Sequence, residues 1–121
     1  MELDREYYEW QMHLAECLSA VGEQQRAVRA ARRAVELSFS DFSEQLARNN
    51  VAWHICLLLP NDLSVRNEAL QNARRAASLT PERATNLDTL GTAEVLFGDA
   101  ARAEEAFRAA MQHGNGSRAG L

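Results

Sequence analysis

The side chains best equipped for chemistry are two His/Cys pairs and a few carboxylates. His13 and Cys17 lie four residues apart, which sets both on one face of a helix, as a metal ion requires of its ligands. Two donors do not close a tetrahedral site, and no second pair stands at a matching spacing. His54 and Cys56 are two apart and point in different directions on a helix. The expectation is core thiols and half-buried histidines, with no metal and no cofactor. Glu9, Glu16 and Asp88 have the chemistry of general acids and bases, but carboxylates on a helix surface are ordinarily solvated. No G-x-S-x-G, phosphate-binding glycine loop, H-E-x-x-H or G-x-G-x-x-G occurs. The expected role is not enzymatic.

The elements that hold these residues follow from composition and period. The chain has 121 residues, one domain's worth, with a net charge of −4, 46% hydrophobic and 25% charged residues. It contains 21 alanines against 6 glycines and 2 prolines, a mix that favours helix. All 13 basic residues are arginine, and the acidic balance argues against a nucleic-acid binder. The acidic start, Met1 to Glu6, is unlike a signal peptide. The longest apolar run, Val51 to Leu59, is too short to span a bilayer, which needs about 20 residues. Cys17 and Cys56, placed in apolar stretches, suggest buried thiols in a reducing compartment. These features together predict a cytoplasmic protein with no membrane partner.

Apolar residues recur at spacings of three and four along six segments. Tyr7, Trp10, Leu14, Cys17, Leu18 and Val21 form the first stripe, which ends at Gly22. Ala27 to Leu37 forms the second. A turn over 40–43 offers Asp41 or Ser43 as N-cap of a third helix, which Pro60-Asn61-Asp62 stops after Leu59. Residues 59–65 are expected to be an irregular loop whose shortening costs little, since loop entropy varies slowly with length. Ser64 restarts the chain into a fourth helix. Thr80-Pro81 reads as N-cap and first residue of a fifth, which ends at Gly98, and Asp99 caps the sixth. No segment alternates with period two.

The segments repeat. Ala69, Ala73, Ala76 and Leu79 overlay Ala103, Phe107, Ala110 and His113 at an offset of 34. Leu14, Ala15, Gly22, Ala27, Ala31 and Ala34 overlay Leu90, Gly91, Gly98, Ala103, Phe107 and Ala110 at an offset of 76. In the middle copy the same places hold Val51, Ala52, Ala69, Ala73 and Ala76. The chain thereby resembles the tetratricopeptide repeat family, whose 34-residue unit carries Leu-Gly, a turn Gly, then Ala, an aromatic and Ala.

The resemblance covers residues 7–113 and implies an all-α fold, three helical hairpins stacked into a superhelix. The units fall at about 8–41, 45–83 and 84–114 of one domain over 1–114, followed by a flexible tail over 115–121. It implies a protein–protein interaction scaffold that holds a peptide or helix in a concave groove lined by the first helix of each hairpin. The alternative is an oligomerisation module, or a piece of a longer repeat array. The chain departs from the family pattern in its overlong middle turn and at Glu94, where a large aromatic is usual. A carboxylate there must reach solvent or find an arginine.

The first helices sum to −4, −1 and −2, the second helices to +2, +1 and 0. An acidic groove and a basic, amphipathic partner follow from the resemblance, while solvation and pairing within helices account for the arginines. The groove positions implied are Glu9, Met12, Glu16, Asn49, Asn50, Trp53, Leu57, Thr85, Asp88, Thr89, Thr92 and Leu96, with Ser19, Ala20, Cys56 and Val95 beside them. The lysine, asparagine and arginine clamp of the family's chaperone-tail binders survives only at Asn50, so a terminal carboxylate is not the expected ligand. Trp53, Leu57, Val95 and Leu96 form either an exposed apolar binding stripe or a surface covered by the 59–65 loop. Phe97, Phe107 and Met111 mark an uncapped end at the last hairpin, a candidate surface for a homodimer.

Overall fold

The computed structural model describes the backbone of residues 2–118 and the side chains of residues 4–114. Six α-helices make up most of it: α1 (Glu2–Ala20), α2 (Gln24–Glu36), α3 (Asp41–Leu58), α4 (Arg66–Leu79), α5 (Ala84–Phe97) and α6 (Ala100–Arg118). A short 3-10 turn, Leu63–Val65, precedes α4, and no strand occurs among the described residues. Each helix packs most extensively on its neighbour in sequence, α1 on α2, α3 on α4 and α5 on α6. Further contacts join α2 to α3 and α4 to α5, and α3 touches both α1 and α5. None of the described helices is long and apolar enough to cross a membrane.

The turns show why the helices stop where they do. Gly22 has φ of +77°, a left-handed conformation that a side chain disfavours. It lets the amides of Gly22 and Glu23 return to the carbonyls of Ser19 and Leu18 at 3.1 and 2.9 Å. The cap of α3 is Ser40, not Asp41 or Ser43. The Ser40 hydroxyl accepts from the Ser43 amide at 3.1 Å, and the Ser43 hydroxyl accepts from the Ser40 amide at 2.9 Å. Asp99 caps α6 as expected, accepting from the Ala101 amide at 2.7 Å.

Thr80-Pro81 does not start α5. Thr80 ends α4, its hydroxyl donating to the Ala76 carbonyl, and α5 begins at Ala84 after a turn. The Asn86 amide of α5 donates to the Thr80 hydroxyl at 2.6 Å and to Gln45 Oε1 at 2.7 Å. Thr80 is thus held between α4 and α5, donating to Ala76 and accepting from Asn86, which outweighs its capping preference. The tail expected after Gly114 is partly helical, since α6 continues to Arg118; residues 119–121 lie outside the described residues.

Alanine makes up much of the interior. Ala15, Ala27, Ala31, Ala34, Ala52, Ala69, Ala73 and Ala76 are fully buried, so the helices meet at small side chains and pack closely. The third pair departs from this. Gly91 replaces the alanine of the first helix, and the Phe107 ring fills the space its Cβ would occupy.

The inward face of α1 is only partly the expected stripe, whose Leu18 is buried and whose Leu14 packs half-buried on the core. Tyr8, Ala15 and Leu18 are buried, whereas Tyr7, Trp10, Cys17 and Val21 are exposed. Tyr8 wins the inward place because its hydroxyl donates to the Ser43 carbonyl at 2.7 Å and its ring meets Phe39 edge-on. Cys17 is therefore an exposed thiol, and Cys56 alone is buried.

The 59–65 segment is also less detached than expected. Leu59 and Val65 pack on the cluster that contains Val28 and Ile55, so the segment walls the core beside α2. Shortening it removes apolar contacts as well as loop, and the cheap deletion expected from loop entropy does not apply.

Candidate functional site

Because α3 touches both α1 and α5, the outward residues of these three helices share one surface. Repeat register sets them in rows: Met12, Asn49 and Asp88 in one, Glu16, Trp53 and Thr92 in the next, then Ala20, Leu57 and Leu96. Two contacts stitch the α1/α3 side. Asn50 Nδ2 donates to the Met12 sulfur at 3.7 Å, and Glu16 Oε1 lies 3.7 Å from His54 Nε2.

The structure exposes Glu9, Glu16, Trp53, Leu57, Thr85, Asp88, Val95 and Leu96, and leaves Met12, Asn49, Asn50 and Thr92 half-buried. Trp53 is 40% and Leu57 53% exposed, so the 59–65 segment does not cover them; it lies against Val28 and Arg32 of α2. Thr89 is not a groove residue. It is buried with its hydroxyl donating to the Thr85 carbonyl, at the register Asn50 occupies in α3, on the flank between helices. Cys56 is likewise buried, packed with Leu70, Ala73 and Ala93, and burial pushes its thiol up to about 11.

Charge on this surface is also redistributed. Glu94 is only 2% exposed and is gripped by Arg74, whose Nε and Nη2 reach its two carboxylate oxygens at 3.1 Å each. Of the two outcomes open to this carboxylate, solvent or an arginine, the structure shows the arginine. Glu44 is held by Arg48 at 2.6 Å and Arg75 at 3.2 Å, which lowers its pKa through those hydrogen bonds. The negative field over α1, α3 and α5 therefore rests on Glu9, Glu16 and Asp88 rather than on every first-helix carboxylate.

Of the three proposed self-association residues, only Met111 is well exposed. Phe97 packs against Leu70 and Ala93 on one side and the Val28 cluster on the other, and Phe107 lies over Gly91. Both rings are turned inward because glycine and alanine leave room for them.

The histidines separate. His13 is exposed, and His54 is 1% exposed with no hydrogen-bond partner for either ring nitrogen, so neither is the half-buried residue the sequence suggested. The described residues bring together no cluster of three metal-ligating side chains. Burial lowers the His54 pKa, and the nearby Glu16 carboxylate opposes this more weakly. The folded chain thus holds a neutral imidazole where the unfolded chain binds a proton at about pH 6.5. The unfolded state binds more protons below that pH, so the stability contribution is complete above it and is lost as pH falls through the window beneath. Urea melts from pH 8 to pH 5 should show the midpoint dropping below pH 6.5, and His54→Leu should flatten that drop. An equally steep decline in both chains would assign it to other groups.

No protein-family model matches the chain, and a search of the curated proteins finds no match.

Proposed function

We propose that the chain is a tetratricopeptide-like repeat protein whose three helix pairs form a superhelical stack over residues 1–114. Its role is non-catalytic: it holds a peptide or helix of another protein against the shared surface of α1, α3 and α5. The observation that carries this reading is the exposure of Trp53, and of Leu57 and Leu96 at one shared register, among the free carboxylates Glu9, Glu16 and Asp88. Large apolar side chains at the centre of a charged field are the anchors that interfaces bury. The carboxylates select a basic, amphipathic partner and steer its approach. Cytoplasmic placement belongs to the same proposal.

Fluorescence titration with a helical peptide of leucine and lysine tests this. Trp53→Ala should weaken binding about tenfold, the loss of one anchor. Raising salt from 0.05 to 0.5 M should weaken it further, because the Debye length falls below about 5 Å. Preference for a glutamate-flanked peptide on this surface, or affinity indifferent to salt, would sink the reading. The oligomerisation alternative rests on the exposure of Met111. It requires Met111→Glu to turn a dimer into a monomer in sedimentation.

A further inference from the structure

Comparing each helix pair with the next shows that one face of the first pair lacks its counterpart. Trp10, Cys17 and Val21 of α1 correspond in repeat register to Ala47, His54 and Leu58 of α3, and to Asn86, Ala93 and Phe97 of α5. Ala47, His54, Asn86 and Ala93 are at most 1% exposed, and Leu58 and Phe97 are partly buried. In α1 the same register leaves Trp10 62% and Val21 74% exposed, and Cys17 is exposed as well. The face with which the second and third pairs pack on the pair before them is thus bare on the first. It continues as a depression floored by Leu14, Leu18 and Ala30 and rimmed by Arg26, Arg29 and Arg33.

Charge identifies what fits there. Arg32, Arg74 and Arg108 occupy one register of α2, α4 and α6. Arg32 forks onto Glu68 of the second pair at 2.6 and 2.7 Å, and Arg74 forks onto Glu94 of the third. Each junction inside the chain therefore joins an arginine to a carboxylate of the following pair. On the bare face that arrangement is absent: the register of Glu68 holds Arg26, and that of Glu94 holds Leu18. A second copy stacked head to tail would bring Arg108, whose carboxylate partner is Glu104 of its own helix, against Arg26, with no carboxylate of the following pair to receive it. Two copies meeting face to face would oppose their unpaired Arg26 and Arg29, since among the described residues only Arg33 of that rim has a carboxylate, Glu36. Both arrangements set like charges together, at a cost that disfavours them. Among the described residues Arg26 and Arg29 have no carboxylate partner.

We propose that this face of α1 and α2 is a second docking surface, and that its occupant is an amphipathic helix of another protein with carboxylates along its flank. The apolar side of that helix covers Trp10, Leu14 and Val21, and its carboxylates reach Arg26 and Arg29. The surface is distinct from the acidic one over α1, α3 and α5, so the chain would join two partners of opposite charge.

Cys17 sits on this face as an exposed thiol, and burial keeps Cys56 out of the reaction, so alkylation reports occupancy directly. The test uses the full chain with iodoacetamide and two helical peptides of about 18 residues, five turns long. Both carry leucine at heptad a and d positions; one has glutamate at e and g, the other lysine. The glutamate peptide should slow Cys17 modification about tenfold, and the lysine peptide less than about twofold. A chain with Arg26→Glu and Arg29→Glu should reverse that preference while melting at the parent temperature, since both side chains are exposed and unpaired. Equal protection by both peptides, or none at millimolar concentration, overturns the proposal. A dimer in sedimentation with Cys17 protected in the absence of peptide also overturns it, assigning the face to a second copy. Failure of Trp53→Ala to affect the lysine peptide would count against the other surface and leave this one standing.

Discussion

Arg74→Ala should destabilise the chain by about 3 kcal/mol, and Glu94→Leu should restore most of that loss. The Glu94 carboxylate is almost fully enclosed, bonded by Arg74 and by the Asp99 amide at 3.3 Å, with Gly98 pressed against it. Removing the guanidinium strips an almost fully enclosed carboxylate of its counter-charge, and breaking a buried pair in this way typically costs about 3 to 5 kcal/mol. The lower end applies because the arginine side chain is itself 43% exposed and water can enter where it stood. Leucine is the natural replacement, because the same register holds Leu18 in α1 and Ile55 in α3. Replacing a buried pair by apolar side chains is often neutral or stabilising. Urea denaturation of the two single variants and the double variant checks this. A loss below about 1 kcal/mol for Arg74→Ala, or no recovery in the double variant, would show that the carboxylate is hydrated and the pair contributes little.

Gly91→Ala is expected to reverse sign with the residue at 107. A Cβ at Gly91 would stand 2.6 Å from Cε1 and 2.7 Å from Cδ1 and Cζ of the Phe107 ring, inside any tolerable contact. Overpacking of that kind costs about 1 to 3 kcal/mol, and the better helix propensity of alanine returns about 1. The net effect should be a loss of about 1 kcal/mol or slightly more. With Phe107→Ala already in place, the third pair acquires the alanines found at these registers in the first two pairs. Gly91→Ala should then stabilise by about 1 kcal/mol. Thermal melts of the four chains would show the change of sign, and additive effects would mean that the ring moves aside freely.

These two sites show what could be seen in the sequence. The Ala, Gly and Leu positions repeating at offsets of 34 and 76 specify helices, their lengths and the places where they approach closely, and the buried alanines sit at those registers. Helix-forming periodicity and small-residue contacts are local properties, written in neighbouring residues. That Glu94 must reach solvent or find an arginine was legible because a carboxylate has few ways to be satisfied, but not which of the two it would do, nor which of 13 arginines would serve.

Caps shifted by a few residues for a similar reason. Ser40 and Thr80 each had serine, threonine or aspartate rivals nearby; the reciprocal Ser40–Ser43 bonds settle the first, and the bonds from the Asn86 side chain to Thr80 and Gln45 settle the second. The same holds for Thr89, assigned to an open surface by its repeat register and buried by the way α5 lies on its neighbours.

The first helix marks the division most clearly. By itself the sequence determined that α1 is a helix, and its apolar residues Tyr7, Trp10, Leu14, Cys17, Leu18 and Val21 recur with a period that fits one buried stripe. It could not determine which of two overlapping faces turns inward, because Tyr8, Ala15 and the shared Leu18 define a second face about a hundred degrees away around the helix. That choice was left to the tertiary structure. The face of Tyr8, Ala15 and Leu18, with Leu14 at its edge, meets α2 and α3, where the phenol finds the Ser43 carbonyl and the small Ala15 lets the helices close. Period establishes that a helix has a face to bury, and the neighbouring helices decide which face it is.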